Sequence, residues 1–322
     1  MSIKMEGSIA AFSPCNDRFV TGGYKRGFSF EEQLDIASKM KGIGALPVLV
    51  DENAVDPLKL KQMFEERGLQ VGTVCVDTYT TAKWKNGTLS HRDKGMRGEM
   101  VENTKRAMDY CKECGGVDVM LWLAHDGYDY PFEDDYAVRW GYLVETLREA
   151  AAHRPDVNLT IEYKRSEPRT YQYVSDIGKS LLLCNEVGLP NMGVIIDIGH
   201  ALLGGENPAE SVALASRFKK LFHVHLNDNY RRADDDLIVG TVHFWETLEF
   251  FYRLNQAGYD GWYIIDIYPG RLDGVRASEE FVARANQMME IAKALPADEI
   301  KAMQEENDTI GLLELVRKTA LR

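Results

Sequence analysis

The sequence predicts an α/β protein, a closed (β/α)8 barrel with a helical extension at its C-terminal end. Short apolar segments alternate with amphipathic helical segments, and eight such alternations occur without an insertion the size of a domain. A length of 322 residues suits one barrel of about 250 residues with extensions. We therefore predict a barrel over residues 1–295 and a helical extension over residues 296–322.

The apolar segments define the predicted strands, and segments with helical spacing separate them. The strands are predicted at Ser8–Ser13, Ala45–Val50, Val71–Asp77, Val119–Ala124, Leu159–Lys164, Gly193–Ile198, Leu221–Leu226 and Trp262–Ile267. The helices are predicted at Phe30–Lys41, Pro57–Arg67, Gly95–Cys114, Tyr136–Ala152, Tyr171–Val187, Pro208–Phe218, Phe244–Ala257 and Ser278–Leu295, with a further helical pattern around Ile310–Ala320. An open doubly wound sheet is the alternative, but the glycine-rich phosphate loop expected after its first strand is absent.

Composition excludes several classes of protein. No uncharged apolar run approaches the roughly 20 residues that span a bilayer, so we predict no membrane partner. The first residues lack the apolar segment of a secretory signal, and five cysteines form no disulfide framework, which together predict a cytoplasmic protein. A net charge of −12 with scattered basic residues argues against nucleic-acid binding. Cys111 and Cys114 lie in a helical pattern without a second cysteine pair, so we predict no metal or redox role for them.

The stretch Leu221–Leu237 carries two patterns that are typical of metal ligands. His223 and His225 alternate with apolar residues, which predicts a strand with both imidazoles on one face. An acidic segment, Asp234–Asp236, follows after a turn. Imidazole and carboxylate groups at this spacing can bind a divalent ion. The alternative is a packed histidine followed by a solvated acidic loop.

Ionisable residues also end four consecutive predicted strands. Glu162 ends the fifth, Asp197 the sixth, His225 the seventh and Asp266 the eighth. One carboxylate at a strand end can simply cap a helix, but catalytic groups of a barrel project from the carboxyl ends of several strands. Four in succession predict a metal site.

Two overlapping ligand sets are possible. Glu162, Asp197, His225 and Asp266 would surround a first ion, while Asp197, His200, Asp234 and Asp236 would bind a second. Oxygen-rich sets with one imidazole favour Mn²⁺, Mg²⁺ or Co²⁺ over a structural zinc ion. Lys164 points to the same side of its strand as Glu162, where an ammonium group near cations requires an anionic substrate oxygen between them.

These motifs resemble the xylose-isomerase-like TIM barrels, and within them the L-rhamnose isomerase and D-xylose isomerase type of metal-dependent sugar isomerase. The resemblance runs from about Leu121 to Pro269. The matching segments are Glu162-x-Lys164 with Glu167-Pro168, Asp197-x-Gly199-His200, His225-Leu226-Asn227, Asp234-x-Asp236 and Asp266, together with Asp126-Gly127-Tyr128-Asp129-Tyr130-Pro131 upstream.

The resemblance implies an aldose–ketose isomerase that acts on a free monosaccharide, a pentose or a deoxyhexose, by a hydride shift between C1 and C2. It implies catalytic roles for Glu162, Lys164 and Asp234, one or two divalent ions, and a homo-oligomer that is a dimer or a tetramer. Residues expected to face the sugar at the top of the barrel are Phe12, His125, Tyr130, Phe132 and His200. Trp122 is expected in the core.

Three other functions stay open. A ketose 3-epimerase on the same barrel would use Glu162 and Asp266 as acid and base. A metal-dependent abasic-site endonuclease shares the barrel, but the acidic charge balance opposes it. A sugar-binding or scaffold protein without catalysis would leave the ligand set unexplained.

Overall fold

A computed structural model describes residues 3–50 and 54–321 as a closed ring of eight parallel strands. The strands are Lys4–Glu6, Ile43–Val50, Gln70–Val76, Val119–Trp122, Leu159–Glu162, Met192–Asp197, Leu221–Leu226 and Trp262–Ile265. Each pairs with its neighbours in chain order, and the first strand pairs with the eighth through Lys4 and Trp262. The predicted closed barrel is confirmed, and the open sheet is excluded. The barrel and tail ranges of the prediction also include Met1, Ser2, residues 51–53 and Arg322, which lie outside the described residues.

The first strand differs from the prediction. The apolar segment Ser8–Ser13 is not a strand, because it contains a short 3-10 helix at Ala10–Phe12. The strand is Lys4–Glu6, only three residues long. Its Glu6 is completely buried in the barrel and accepts a hydrogen bond from the backbone N–H of Thr73 at 2.8 Å. A charged residue inside such a short strand removes the apolar signal that the prediction required.

Helices surround the ring on the outside. They span Phe30–Ala37, Pro57–Glu65, Lys94–Cys114, Tyr136–His153, Ile177–Val187, Ile198–Gly204, Pro208–Arg217, Phe244–Gln256 and Gly274–Ala294, followed by Ala297–Glu306 and Thr309–Ala320 in the tail. Many begin at side-chain caps, as at Ser29, whose hydroxyl accepts from the Glu32 N–H while the Glu32 carboxylate accepts from the Ser29 N–H. No helix in these two described ranges is long and apolar enough to cross a bilayer.

Two segments near the carboxyl ends of the strands were not predicted. Residues Tyr171–Gln172 pair antiparallel with Gly127–Tyr128, so the helix predicted from Tyr171 begins only at Ile177. The short helix Ile198–Gly204 directly follows the sixth strand. Its N-cap is Asp197, whose carboxylate accepts a hydrogen bond from the His200 N–H at 2.8 Å. This turn brings Asp197 and His200 to the same end of the barrel.

Candidate metal and substrate site

Four side chains from consecutive strands meet at the carboxyl end of the barrel. Glu162, Asp197, His225 and Asp266 each place one ligand atom within 4.8 Å of the others. The His225 Nδ1 lies 3.0 Å from Glu162 Oε1 and 3.3 Å from Asp266 Oδ2. It also lies 3.9 Å from Asp197 Oδ2. The barrel brings together all four residues of the first predicted ligand set, because each lies at or next to the carboxyl end of a strand and neighbouring strands are in register.

The electrostatics of this set favour a cation. Burial raises the pKa of Asp197 to about 6, and nearby carboxylates add to the effect. Burial alone would lower the pKa of His225, but Glu162 and Asp266 raise it well above its usual value. Three carboxylates therefore converge on one imidazole that is held protonated, and a divalent ion would take the place of that proton.

A second set lies beside the first. The His200 Nδ1 is 3.0 Å from the carbonyl oxygen of Tyr163, which can only accept, so Nδ1 carries the hydrogen. The Nε2 is then the nitrogen that a metal ion could bind, and it lies 3.0 Å from Asp234 Oδ2. A ligand histidine is commonly oriented by such a carbonyl. Burial opposes protonation of His200, yet Asp197 and Asp234 raise its pKa to about 9.

The first set has the geometry of a divalent-ion site, with ligand atoms that lie within 4.8 Å of one another. The second set is supported by its donor types, since each set offers carboxylate oxygens and one imidazole nitrogen, which suit Mn²⁺, Mg²⁺ or Co²⁺. In the second set, Asp234 Oδ1 is buried and has no hydrogen-bond partner, so it is available as a ligand. Burial and the neighbouring carboxylates raise the pKa of Asp236 well above its usual value, because a negative charge is unfavourable there. A bound cation would offset this repulsion.

Lys164 lies beside Asp234 of the second set. Its Nζ is 2.7 Å from Asp234 Oδ2 and 3.4 Å from Glu167 Oε2, and the residue is 4% exposed. Burial would lower the pKa of this ammonium, but Asp234 and Glu167 raise it above its usual value. Lys164 is therefore a fixed positive charge that faces the cavity.

The candidate ligand residues other than Asp197 line a cavity of about 250 Å³. The strands of the other half of the ring, with the segments that follow them, contribute a largely apolar wall. Its members include Ile9, Ala10, Pro47, Cys75, Tyr79, Met120 and Trp122. The cavity has the size of one small molecule, with ionic groups on one side and apolar groups on the other.

Four predicted sugar-facing residues do not line this cavity. Phe12 is 1% exposed and packs against Phe28 in the core, with ring centroids 6.3 Å apart. His125 lies outside the cavity lining, with its Nε2 3.3 Å from the carbonyl oxygen of Tyr79. Tyr130 and Phe132 are 74% and 100% exposed on a surface loop. Of the five predicted residues, His200 alone is among the described residues that line the cavity.

Trp122 is the main site residue that sequence reasoning missed. It was predicted in the core, but it ends the fourth strand and lines the cavity. The Lys164 ammonium lies 5.1 Å from the centre of its ring, within cation–π range, and Tyr79 packs at 4.8 Å. Trp122 lies opposite Glu162 in the strand register, a pairing that the sequence alone does not reveal.

His223 has a different role from His225, although the two alternate on one strand. His223 lies deeper in the barrel, where its Nδ1 is 3.1 Å from Asp118 Oδ2 and its Nε2 is 3.3 Å from Glu6 Oε1. All three side chains are buried. His223 therefore belongs to an ionic layer in the barrel interior below the ligand sets.

Comparison with known proteins identifies the family of the chain. Residues 41–284 match the family model described as xylose isomerase-like TIM barrel. The chain is 29% identical over 213 residues to a probable sugar isomerase of Mesorhizobium japonicum, covering 64% of this chain and 49% of that protein. It is 26% identical over 209 residues to a xylose isomerase of Thermus thermophilus, covering 63% and 54%. The chain thus spans about half the length of these relatives.

Among solved structures, an L-ribulose 3-epimerase superposes with a TM-score of 0.69 at 17% identity, covering 91% of this chain and 96% of the other. At this identity the likeness is one of fold. The family match covers most of the barrel and includes every residue of both ligand sets. The chain belongs to the xylose isomerase-like TIM barrel family.

Proposed function

We propose that the protein is a divalent-metal-dependent aldose–ketose isomerase that acts on a free monosaccharide. The observation that carries this proposal is the buried Lys164–Asp234 ion pair beside the four-residue ligand set. The carboxylate of Asp234, 2.7 Å away, compensates the buried ammonium of Lys164. Beside a bound cation, this ammonium would also require an anionic substrate oxygen between the two positive charges. We propose Mn²⁺, Mg²⁺ or Co²⁺ as the resident metal, with one ion in each ligand set.

The cavity supports an uncharged substrate. Among the described lining residues, Lys164 is the one Lys or Arg, and it already pairs with Asp234 and Glu167. A sugar phosphate would need further cationic donors. The apolar wall around Met120 and Trp122 suits the carbon-bound hydrogens of a pentose or the methyl group of a deoxyhexose. These features favour a pentose or a deoxyhexose as the substrate.

The side chains have separate tasks in the proposed reaction. A divalent ion held by Glu162, Asp197, His225 and Asp266 would supply Lewis acidity to the reacting oxygens of the sugar. Lys164 donates a hydrogen bond to the substrate oxygen at C1 as negative charge develops there. The hydrogen at C2 moves with its electron pair to C1, and the proton of the C2 hydroxyl ends on the C1 oxygen. Asp234, which contacts Lys164 and His200, is the carboxylate positioned to relay that proton.

The apolar wall has a task of its own. Trp122 and Met120 keep water away from the carbon atoms, so the migrating hydride is not lost.

A ketose 3-epimerase is the second candidate. The observation in its favour is that Glu162 and Asp266 approach the same His225 nitrogen, at 3.0 Å and 3.3 Å. Two carboxylates at one site can remove and return a proton at a single carbon. This reaction gives Lys164 and Asp234 no task, and for that reason we favour the isomerase.

Isotope transfer distinguishes the two reactions. Aldopentoses and 6-deoxyhexoses are screened with Mn²⁺, and the converted sugar is then prepared with deuterium at C2. An isomerase that moves hydride delivers the label to C1 of the ketose, and the product formed in D₂O gains little carbon-bound deuterium. Lys164→Met should lower kcat by at least about 100-fold while Mn²⁺ stays bound. The matched control is Lys220→Met, because Lys220 donates to the carbonyl oxygens of Leu189 and Met192 away from the cavity.

Other labelling results would change the assignment. Extensive solvent deuterium at C3 would assign the protein to the epimerases, with Glu162 and Asp266 as the proton-transfer pair. Full activity after removal of metal would contradict the assignment of a metal site, for the isomerase and for the epimerase alike. Specific nicking of an abasic DNA duplex would place the activity among the nucleases.

A further inference from the structure

A buried asparagine connects the two ligand sets. Asn227 directly follows the seventh strand and is 0% exposed. Its Nδ2 donates to Asp197 Oδ2 at 3.1 Å and to Asp236 Oδ1 at 3.4 Å. Asp197 is shared by both sets, whereas Asp236 belongs to the second set alone. One amide group therefore spans the carboxylates of both sets.

The amide also orients the second carboxylate oxygen of Asp197. The Oδ1 atom of Asp197 accepts from the His200 N–H at 2.8 Å, and its Oδ2 accepts from Asn227. Both carboxylate oxygens are thus oriented by donors of the protein. Such partners commonly set the orientation of ligands around a metal.

The backbone at Gly199 packs closely against the side chain of Asn227. A Cβ atom added to Gly199 would lie 2.1 Å from Asn227 Oδ1, so a side chain at position 199 would displace the amide. The carbonyl oxygen of Gly199 accepts from Asn229 Nδ2 at 2.8 Å, which holds this turn in place.

The orientation of the amide follows from its neighbours. Asn227 Oδ1 is buried without a hydrogen-bond partner. A reversed amide would direct this oxygen toward Asp197 and Asp236, where it would be repelled. The protein therefore retains an unpaired buried oxygen in exchange for two N–H contacts to carboxylates.

We propose that Asn227 is a positioning residue that couples the two metal sites, by holding Asp197 and Asp236 at a fixed separation so that Asp197 serves both ions. This inference rests on the proposed two-ion function. It predicts that loss of the amide mainly weakens the second ion, because the first keeps Glu162, His225 and Asp266 as independent ligands.

The test titrates metal-free protein with Mn²⁺ by calorimetry and records its electron paramagnetic resonance spectrum. The wild-type protein should bind two ions per chain and show the broadened spectrum of two spin-coupled Mn²⁺ ions. Asn227→Ala should lower the affinity for the second ion by at least tenfold, which is typical when a hydrogen-bond partner of metal ligands is lost. It should also remove the spin coupling between the two ions. Asn227→Asp keeps the shape without the N–H donor, so it should behave like the alanine variant. Gly199→Ala should have the same effect by displacing the amide.

The matched control is Asn191→Ala. Asn191 is also buried, but its amide donates to the carbonyl oxygens of Ala151, Arg154 and Val157 at 3.0–3.1 Å, away from the cavity. This variant should lose stability and keep both ions with their spin coupling. It separates loss of packing from loss of positioning.

Two different results would overturn the inference. If wild-type protein binds two ions and Asn227→Asp retains both affinities and the coupled spectrum, Asn227 does not position the carboxylates and the proposed function is untouched. If wild-type protein binds fewer than two ions at saturating Mn²⁺, the two-ion function fails and the coupling role fails with it.

Discussion

At the scale of single residues, His223 and His225 offer a direct test of the site. Both are buried histidines on one strand, but His225 faces three carboxylates of the ligand set and His223 faces Glu6 and Asp118. His225→Gln should lower Mn²⁺ affinity at the first site by more than about 100-fold, because it removes a direct ligand. Calorimetric titration of metal-free protein measures this change.

The control is His223→Gln. This change leaves two buried carboxylates without their imidazole, so the free energy of unfolding should fall by about 3–5 kcal/mol in denaturant titrations. Its Mn²⁺ affinity should stay within a few-fold of wild type. Equal loss of metal affinity in both variants would show that the imidazoles act on the fold and not on the ion.

The candidate ligand residues were accessible to sequence reasoning because strand geometry is periodic. Glu162, Asp197, His225 and Asp266 each lie at or next to the carboxyl end of a strand, and a barrel brings these ends together. Trp122 occupies an equivalent position, but an aromatic residue at a strand end has the same sequence pattern as a core residue. Phe132 depends on a loop in which its own φ is 68°, and no periodic pattern reports such a conformation.

At the scale of elements, Asp126 holds the loop that follows the third strand. Its carboxylate accepts the backbone N–H groups of Thr88 and Ser90, at 3.0 Å and 2.8 Å, and both hydroxyl groups of these residues. Asp126→Ala would leave two buried N–H groups unpaired. The free energy of unfolding should fall by about 2–4 kcal/mol, and proteolysis should begin in residues 77–97.

A carboxylate in the same loop serves as the control. Asp77 accepts the N–H groups of Tyr79 and Thr80, but these contacts are exposed to solvent. Asp77→Ala should therefore change stability by about 1 kcal/mol or less. A similar loss in both variants would mean that Asp126 does not anchor the loop.

Most elements with a clear apolar pattern were predicted and confirmed, and two of the failures have a common cause. Lys4–Glu6 was missed because Glu6 is buried against Thr73 and His223, partners distant in sequence. Tyr171–Gln172 was assigned to a helix because its pairing with Gly127–Tyr128 is also a tertiary contact. Local patterns do not contain such contacts.

At the scale of the whole molecule, the tail helices test the predicted division at residue 295. Helix Thr309–Ala320 has no buried residue, while Ala297–Glu306 buries Ile300 at 4% exposure. A chain ending at Asp308 should keep the barrel, bind Mn²⁺ as before and lose at most a few kcal/mol of stability. Circular dichroism during thermal unfolding and Mn²⁺ titration measure both properties.

A chain ending at Leu295 is the companion variant, and it should be less stable than the chain ending at Asp308 because it also loses Ile300. If the chain ending at Asp308 failed to fold, the helix Thr309–Ala320 would be a necessary part of the barrel domain. Eight strand–helix alternations were enough to predict the closed ring. The homo-oligomer and the cytoplasmic location stay predictions, because they depend on surfaces and signals that strand periodicity does not contain.

The pairing of the first strand with the eighth also determines when the molecule can form during synthesis. Lys4 has its partner Trp262 near the far end of the chain, so a nascent chain still held on the ribosome before this point leaves both edges of the sheet open. Unpaired strand edges promote association between chains. The short first strand limits that hazard, since three residues offer little edge to a neighbouring chain. Its brevity would then protect the growing polypeptide during translation.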